Sequence, residues 1–202
     1  MRIFTEKEAE RFLKKEGFKI LDEIFIKKES ELKKALTKFN FPVVLKVSGK
    51  KIIHKKKVGG VKMGINNYTR ALNAFNQIKK INGFEEAVIE EQVKGQEFLF
   101  GIKKTSEFGH VIVFGAGGSD VEKIKNVSFR VCPIDYDEAE EMIKEIKFEK
   151  GLDSKIMESM PSEIIKLCRL SKKYHNIQEL DINPMIIENN VPKIVDARIV
   201  FE

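Results

Sequence analysis

The residues near the carboxyl end of the chain have the types and spacing of a divalent-cation site. Asp181 and Asn183 lie two positions apart among apolar residues, so on a strand their side chains share one face. Asn189-Asn190 predicts a turn, after which a second β-rich run returns and brings Asp196 within reach. Two carboxylates and an amide oxygen are ligands that Mg²⁺ prefers, with room left for waters and phosphates. Alternatively, these residues turn the chain beside a proline and keep a surface strand soluble.

Lys46 stands near the end of the nearly continuous apolar run 41–47, which predicts a strand in the centre of a sheet. Buried lysines are rare unless an anion accompanies them. Two interpretations are therefore open. The ammonium group binds a phosphate, or Lys46 marks the exposed end of the strand.

A lysine-rich segment, 50–61, surrounds His54 and ends in Gly59-Gly60-Val61. Glycines allow backbone N–H groups to approach an anion, and lysines add positive charge. Neutral imidazole is a competent nucleophile toward phosphoryl groups, and neighbouring ammonium groups favour its unprotonated form. The alternative is a solvated loop that contains an incidental histidine.

Further along the chain, a glycine loop and three charged residues are weaker candidates for a phosphate or sugar site. Gly115-Ala-Gly-Gly118 follows a predicted strand, although a single glycine loop is not specific evidence. Glu97 lies just past the bend at 94–96 and either holds a ribose hydroxyl or is a plain edge-strand acid. Glu122 and Arg130 flank a segment with few apolar residues, so both are expected to be accessible.

The elements that position these residues follow from caps and periodicity. Thr5-Glu6-Lys7-Glu8 is a capping box that predicts a helix, and Asn67 caps another. Alternating helices and strands, with hairpins late in the chain, predict an α+β protein of two lobes. The predicted helices cover 5–16, 31–39, 67–81 and 135–146, and a last helix starts at Ser162 after a polar linker at 147–154. The further predicted strands cover 24–26, 61–65, 87–93, 98–102 and 110–114.

Composition narrows the possible environments and partners. The 202 residues are 42% apolar and 34% charged, lysine dominates the basic residues, and the net charge is +6. This charge suits polyanionic partners, but scarce arginine and the absence of tryptophan disfavour nucleic acid. Lysine and glutamate enrichment is typical of heat-adapted proteins. We expect a cytoplasmic protein with no membrane span, in which Cys132 and Cys168 are reduced core thiols.

The order of these motifs closely resembles the ATP-grasp β subunit of ADP-forming acetyl-CoA synthetases. The resemblance runs from Thr5 to Val200. The chain is also similar, more distantly, to the nucleotide-binding part of succinyl-CoA synthetase β. It is carried by a helix, then a Pro-Val-Val-Leu-Lys strand, Ile-x-His-Lys, Gly-Gly-Val, Gly-x-Glu, Gly-x-Gly-Gly, and Glu-Leu-Asp-Ile-Asn-Pro before Val-Asp-Ala-Arg.

The resemblance implies one ATP-grasp domain over 1–202, with a small lobe at about 18–84 and a large lobe at about 85–202 on which helix 5–16 packs. The lobes would clasp MgATP or MgADP. The implied reaction converts acyl-CoA, ADP and phosphate into the acid, CoA and ATP through an acyl phosphate and a phosphohistidine. It requires an α partner that carries the CoA-binding and acyl-phosphate-forming domains, in an α2β2 assembly.

The resemblance also assigns roles to individual residues. His54 would relay the phosphoryl group to ADP. Asn183 and Asp196 would ligate Mg²⁺, with Asp181 beside them. The implied nucleotide-binding residues are Lys46, Gly59 and Gly60 at the phosphates, Glu91, Gln92 and Val93 at the adenine hinge, Glu97 at the ribose, and Glu122 and Arg130 near the phosphates without an assigned role.

The chain departs from the family pattern at four places. Lys57 and Asn126 stand where the family has aspartates, and Lys104-Thr105-Ser106 replaces an Arg-Asp-Pro segment. The stretch after Lys147 is shorter and lacks Arg-Gly. These changes make the phosphate region more positive, which either tightens anion binding or accompanies altered turnover. A non-catalytic nucleotide-binding or regulatory subunit is therefore the alternative function.

Overall fold

The computed structural model describes residues 1–49, 51–52, 55–117, 126–148 and 152–202. Within these residues no helix has the length and apolar character needed to cross a bilayer. The helices are α1 (Glu6–Lys15), α2 (Glu29–Leu36), α3 (Tyr68–Ile78), α4 (Tyr136–Lys144) and α5 (Ser154–Lys173). The strands are β1 (Arg2–Ile3), β2 (Glu23–Ile26), β3 (Val43–Ser48), β4 (Val61–Ile65), β5 (Glu86–Glu91), β6 (Gln96–Thr105), β7 (Gly109–Ala116), β8 (Val127–Val131), β9 (Ile177–Glu188), β10 (Val191–Ile194) and β11 (Ala197–Phe201).

The chain divides into two compact units, and the first comprises residues 21–93. Its antiparallel sheet has the order β2-β5-β3-β4, so β3 is an interior strand as its apolar run predicts. Val43, Leu45 and Val47 of β3 pack in a core with residues of α2 and α3 such as Leu32 and Phe75. The alternate residues of β3, including Lys46, therefore lie on the opposite face of the sheet.

The second unit comprises residues 1–20 and 94–202. Its sheet has the order β1-β11-β9-β6-β7-β8, with β10 also paired to β9, and all its strand pairs are antiparallel. One face of this sheet packs against α1, α4 and α5, through residues such as Phe100, Phe114 and Ile182. The expected packing of helix 5–16 is seen here, since Ala9 and Leu13 of α1 belong to this core.

The boundary between the units falls later than the expected lobe boundary at 84/85. Strand β5 pairs with β2 and β3, and it therefore belongs to the unit of residues 21–93. The sequence predicts strands at 87–93 and 98–102 that are joined at 94–96. These strands correspond to β5 and β6, which belong to different sheets.

Local signals for element ends were confirmed in several places. Thr5 and Glu8 form the capping box of α1, and the side chain of Asn67 caps α3. Asn189 and Asn190 adopt positive φ angles of 51° and 63°, and they connect β9 to β10 in the predicted turn. Such left-handed residues match the twist of a two-residue hairpin turn.

Two expectations about the carboxyl half were wrong. The helix expected to start at Ser162 begins at Ser154, because Asp153 supplies the N-cap and Pro161 is accommodated inside the helix. Cys132 and Cys168 are not reduced thiols; they form a disulfide that joins the residue after β8 to α5. Their Cα atoms are 5.6 Å apart, a distance that their separation of 36 positions in the sequence could not reveal.

Candidate functional site

Asp181, Asn183 and Asp196 meet on the face of the large sheet that the helices leave open. Leu180 and Ile182 are 1% and 0% exposed and belong to the core, so Asp181 and Asn183 point the other way from β9. Asp196 lies between β10 and β11, and its carbonyl accepts a 3.1 Å hydrogen bond from the Asn183 N–H. The backbone of the late strands therefore brings these polar residues together, as their spacing predicts.

The electrostatics of this cluster favour a cation. Burial and the negative charges of Asp196 and Glu179 raise the pKa of Asp181 to about 6, and only Arg198, which is opposite Asp181 on β11, opposes the shift. Ionising Asp181 is thus unfavourable without added positive charge. A divalent cation supplies such charge, and two carboxylates with an amide oxygen suit Mg²⁺. Among the described residues no three histidine, cysteine or acidic side chains are arranged to hold a metal ion by themselves, so the amide oxygen of Asn183 would have to complete the ligand set.

Lys46 forms a buried ion pair with Glu90. The two residues are 5% and 3% exposed, and the Lys46 Nζ is 2.7 Å and 2.8 Å from the two carboxylate oxygens of Glu90. The alternative in which Lys46 marks an exposed strand end is therefore wrong. Sequence reasoning missed Glu90, although an acid within the apolar run of β5 signals a buried charge that needs a partner.

The side chains of the expected adenine hinge, 91–93, hold the neighbouring loops. The Glu91 carboxylate accepts hydrogen bonds from the backbone N–H and side-chain amide of Asn40, at 2.9 Å and 3.3 Å. The Gln92 side-chain oxygen accepts a 2.6 Å hydrogen bond from the Gly64 N–H, and the Gln92 N–H donates to the Pro42 carbonyl. One carboxylate oxygen of Glu91 and the side-chain oxygen of Gln92 are therefore engaged by protein groups. Val93 is the last residue of its unit.

Gly59 and Gly60 shape a turn, and their N–H groups are already engaged. They donate to the carbonyls of Lys56 and Lys55 at 3.1 Å and 2.8 Å. A Cβ on Gly60 would lie 2.2 Å from a side-chain carbon of Val47, so the close approach of the loop to β3 requires glycine. The expected cradle of free N–H groups is not present at these two positions.

Glu97 and Gly117 take part in the backbone pairing between β6 and the end of β7, and Gly118 of the predicted glycine loop lies outside the described residues. Glu97 lies on β6 opposite Ile186, and its carbonyl accepts a 2.8 Å hydrogen bond from the Gly117 N–H. A Cβ on Gly117 would lie 2.5 Å from the Phe98 nitrogen, so the absence of a side chain lets the chain after β7 approach β6. The Glu97 side chain is partly exposed and free of these backbone contacts.

Arg130 ties β8 to the end of α4. Its guanidinium is 2.5 Å from a Glu145 oxygen and 3.6 Å from a Glu141 oxygen, and Ser128 donates a short hydrogen bond to Glu145. Arg130 and Ser128 hold the pKa of Glu145 below its usual value. Arg130 is more enclosed than its sequence context predicts, and it has a structural partner in the described residues.

Asn126, one of the departures from the family pattern, uses both ends of its amide. The side-chain nitrogen donates to the Lys147 carbonyl at 2.6 Å, and the side-chain oxygen accepts from the Lys147 N–H at 3.0 Å. An ionised aspartate accepts but does not donate, so it could make only one of these bonds. His54 and Glu122 lie outside the described residues, and their expected roles stay predictions.

Comparisons with known proteins show the family of the chain. A model of the ATP-grasp domain matches residues 1–201. The chain is 37% identical over 211 residues to a 4-hydroxybutyrate–CoA ligase (ADP-forming) of Nitrosopumilus maritimus, with 96% of this chain aligned to 30% of that longer ligase. It is 33% identical over 214 residues to the β subunit of acetate–CoA ligase (ADP-forming) I of Pyrococcus furiosus, covering 99% of this chain and 92% of that subunit.

A solved structure is similar over the whole chain. The acetyl-coenzyme A synthetase 1 of Ca. Korarchaeum cryptofilum, in complex with coenzyme A, Ca-AMPCP and HgCl+, superimposes with a TM-score of 0.88 at 30% identity. The match covers 100% of this chain and 94% of that one. The chain thus spans 30% of the length of the Nitrosopumilus ligase and nearly all of the Pyrococcus subunit.

Proposed function

The chain belongs to the ATP-grasp family, and we propose that it is the nucleotide-binding β subunit of an ADP-forming acyl-CoA synthetase. The proposed reaction converts acyl-CoA, ADP and phosphate into the free acid, CoA and ATP. The observation that carries the proposal is the cluster of Asp181, Asn183 and Asp196 on the late strands of the large sheet. Burial and nearby negative charge raise the pKa of Asp181, and a magnesium nucleotide would supply the positive charge that favours its ionised form.

In this proposal the residues of the chain mainly position the nucleotide and compensate charge. Asn183 and Asp196 would hold Mg²⁺, with Asp181 beside them, and the ion would supply positive charge for the phosphate oxygens. Lys46 adds an ammonium group for the phosphates, and Glu97 binds the ribose. Phosphoryl transfer requires little covalent work from a protein, so such positioning provides most of the catalysis.

His54 carries the covalent part of the proposal. The neutral imidazole attacks the phosphorus of the acyl phosphate and releases the carboxylate of the free acid. A terminal phosphate oxygen of ADP then attacks the phosphohistidine, which forms ATP and regenerates the imidazole. Lysines at 50–57 attract the phosphorylated species. This role comes from the resemblance and the sequence context of His54.

We further propose that an α partner completes the enzyme in the cytoplasm, in an α2β2 assembly. The relative from Pyrococcus furiosus is named as a β subunit, and the chain spans 92% of it. The longer Nitrosopumilus ligase extends well beyond the region that this chain matches. By analogy with the separate β subunit of Pyrococcus furiosus, the proposal assigns the CoA-binding and acyl-phosphate-forming parts to the α partner, which would also determine the choice of acyl group.

The proposal is tested by reconstituting the chain with its α partner and measuring acyl-CoA-dependent ATP synthesis. The wild type is expected to produce ATP, and His54→Asn is expected to bind MgADP without producing ATP. His175→Asn is a suitable control because His175 is an exposed histidine outside the proposed site. Unchanged turnover in His54→Asn would remove the histidine relay, and absence of MgADP binding by the wild type would refute the proposal as a whole.

One observation favours the non-catalytic nucleotide-binding subunit as the second candidate. Asn126 replaces a family aspartate, and both ends of its amide are used to hold the backbone of Lys147. A carboxylate used in turnover would then have been exchanged for a structural amide. This candidate predicts MgADP binding without ATP synthesis, even in the presence of the α partner.

A further inference from the structure

Arg198 places a positive charge beside the acidic residues of the late strands. In the register of β9 and β11 it lies directly opposite Asp181. Glu179 lies two positions before Asp181 on β9, so the side chains of Glu179, Asp181 and Arg198 share one face of the sheet. Asn183, a proposed ligand of Mg²⁺, follows two positions after Asp181 on the same strand. Arg198 is therefore close to the proposed metal site, although the sequence motifs give it no role.

The contact between Arg198 and Glu179 is a loose one. The Arg198 Nη1 is 3.5 Å from the Glu179 Oε1, which is longer than the usual range of N–H···O hydrogen bonds. The two side chains are 38% and 42% exposed. Partly exposed ion pairs contribute little to stability, because water screens them and ordering their side chains costs entropy. The charge of Arg198 therefore has a small structural role.

The electrostatic effect of Arg198 is directed at Asp181. Among the described residues, Asp196 and Glu179 act on the Asp181 carboxylate as negative charges, and Arg198 acts on it as a positive charge. Without the guanidinium group, the carboxylates would attract any divalent cation more strongly. Arg198 therefore weakens the attraction of this cluster for a bare cation.

A magnesium nucleotide responds to Arg198 with the opposite sign. Its phosphates outweigh the charge of the cation, so the complex is negative as a whole and a guanidinium group attracts it. The guanidinium group of arginine is always charged in proteins, so the discrimination does not depend on pH. One fixed positive charge beside the carboxylates can thus distinguish the two ligands.

We propose that Arg198 is a specificity-determining residue of the site, because its charge disfavours a bare divalent cation beside Asp181 and favours the magnesium nucleotide. The inference rests on the proposed function, since it assumes that the late strands bind a magnesium nucleotide. It deepens that function by stating that the cation enters the site together with the phosphates rather than before them.

The test measures two affinities on the full chain, that for Mn²⁺ alone by electron paramagnetic resonance and that for MnADP by calorimetry. Arg198→Gln should bind Mn²⁺ alone about threefold or more tightly and MnADP about threefold or more weakly. Arg198→Lys keeps the charge and should stay within about twofold of the wild type in both affinities.

Lys103→Gln is the matched control for the loss of one positive charge. Lys103 is exposed on β6 and lies opposite Glu179 rather than Asp181. Because water screens an exposed charge, Lys103→Gln should change neither affinity by more than about twofold. A change as large as that of Arg198→Gln would show a general effect of net charge and would overturn the role of Arg198.

Two variants of Glu179 separate charge from packing. Glu179→Gln removes a negative charge and should have the mirror-image effect, with weaker binding of Mn²⁺ alone and tighter binding of MnADP. The double variant Arg198→Gln/Glu179→Gln loses one charge of each sign, and its affinity for Mn²⁺ alone should return to within about twofold of the wild type. If Arg198→Gln does not fold, Glu179→Gln carries the test.

The possible results lead to distinct conclusions. Changes of both affinities in the same direction in Arg198→Gln, no change in either of them, or no binding of Mn²⁺ alone by that variant would each overturn the role of Arg198. Those results would leave the proposed function intact, because the wild type would still bind MnADP. Failure of the wild type to bind MnADP would overturn both.

Discussion

Replacing Asp181 with asparagine is expected to stabilise the metal-free protein and to remove most of its response to Mg²⁺. In the folded chain the carboxylate of Asp181 is largely buried near the negative charges of Asp196 and Glu179, and its pKa rises from 3.8 to about 6. The asparagine side chain has nearly the same shape and carries no charge. The substitution therefore removes an unfavourable interaction and a candidate neighbour of the metal at the same time.

The magnitude follows from the shift in pKa. A rise from 3.8 to about 6 corresponds to about 3 kcal/mol at about 1.4 kcal/mol per unit, and partial exposure reduces the expected gain to about 1–3 kcal/mol. Because the folded-state pKa is raised, the folded chain takes up a proton as the pH falls from about 6 to 4, and the penalty disappears across that window. The gain from asparagine is thus present at pH 7.5 and absent at pH 4.

Thermal unfolding in a chelator, and then with Mg²⁺ and ADP, measures both effects. At pH 7.5 without metal, Asp181→Asn should raise the Tm by about 2–12 °C, given about 2–4 °C per kcal/mol for a chain of this length. With Mg²⁺ and ADP the wild type should gain stability and the variant should gain much less. Asp22→Asn, at an exposed aspartate, should change neither value. A variant that is less stable than the wild type at pH 7.5 would refute the electrostatic reasoning.

Three further predictions concern stability. Lys46→Met removes the ammonium group that lies 2.7 Å from the buried Glu90 carboxylate and should cost about 3–5 kcal/mol in chemical denaturation, whereas the double variant Lys46→Met/Glu90→Met should recover most of that loss; equal losses would contradict the buried-pair account. Reducing the disulfide of Cys132 and Cys168 should destabilise the protein by up to about 4 kcal/mol, which is measured as a lower Tm in dithiothreitol. In the double variant Cys132→Ser/Cys168→Ser, dithiothreitol should leave the Tm unchanged. Gly95→Ala places a Cβ 2.0 Å from a carbonyl oxygen of β9 and should cost about 1–3 kcal/mol by the same assay; a neutral result would show that the strands separate easily there.

Much of the fold follows from local sequence signals, because those signals act over a few residues. The capping box at Thr5, the Asn67 cap and the Asn189-Asn190 turn each satisfy backbone groups or φ angles close to them in the chain. The alternation around Asp181 and Asn183 likewise fixes their common face. These features depend on strand and helix periodicity, so a single sequence is enough to predict them.

The features that were missed depend on which segments become neighbours. Glu90 becomes the partner of Lys46 only through the register of β3 and β5, and the two residues are 44 positions apart. The disulfide depends on the packing of α5 near the end of β8, which cysteine spacing does not encode. The start of α5 was missed because Pro161 suggests a boundary, although tertiary packing retains it inside the helix.

The central claim is tested most directly by titrating ADP into the wild type and into Asp196→Asn, each in Mg²⁺ and in chelator. We expect the wild type to bind ADP tightly only with Mg²⁺, and we expect Asp196→Asn to lose that dependence together with most of the affinity. ADP binding that is equally tight in both proteins, with or without Mg²⁺, would contradict the assignment of the late strands as the site of a magnesium nucleotide.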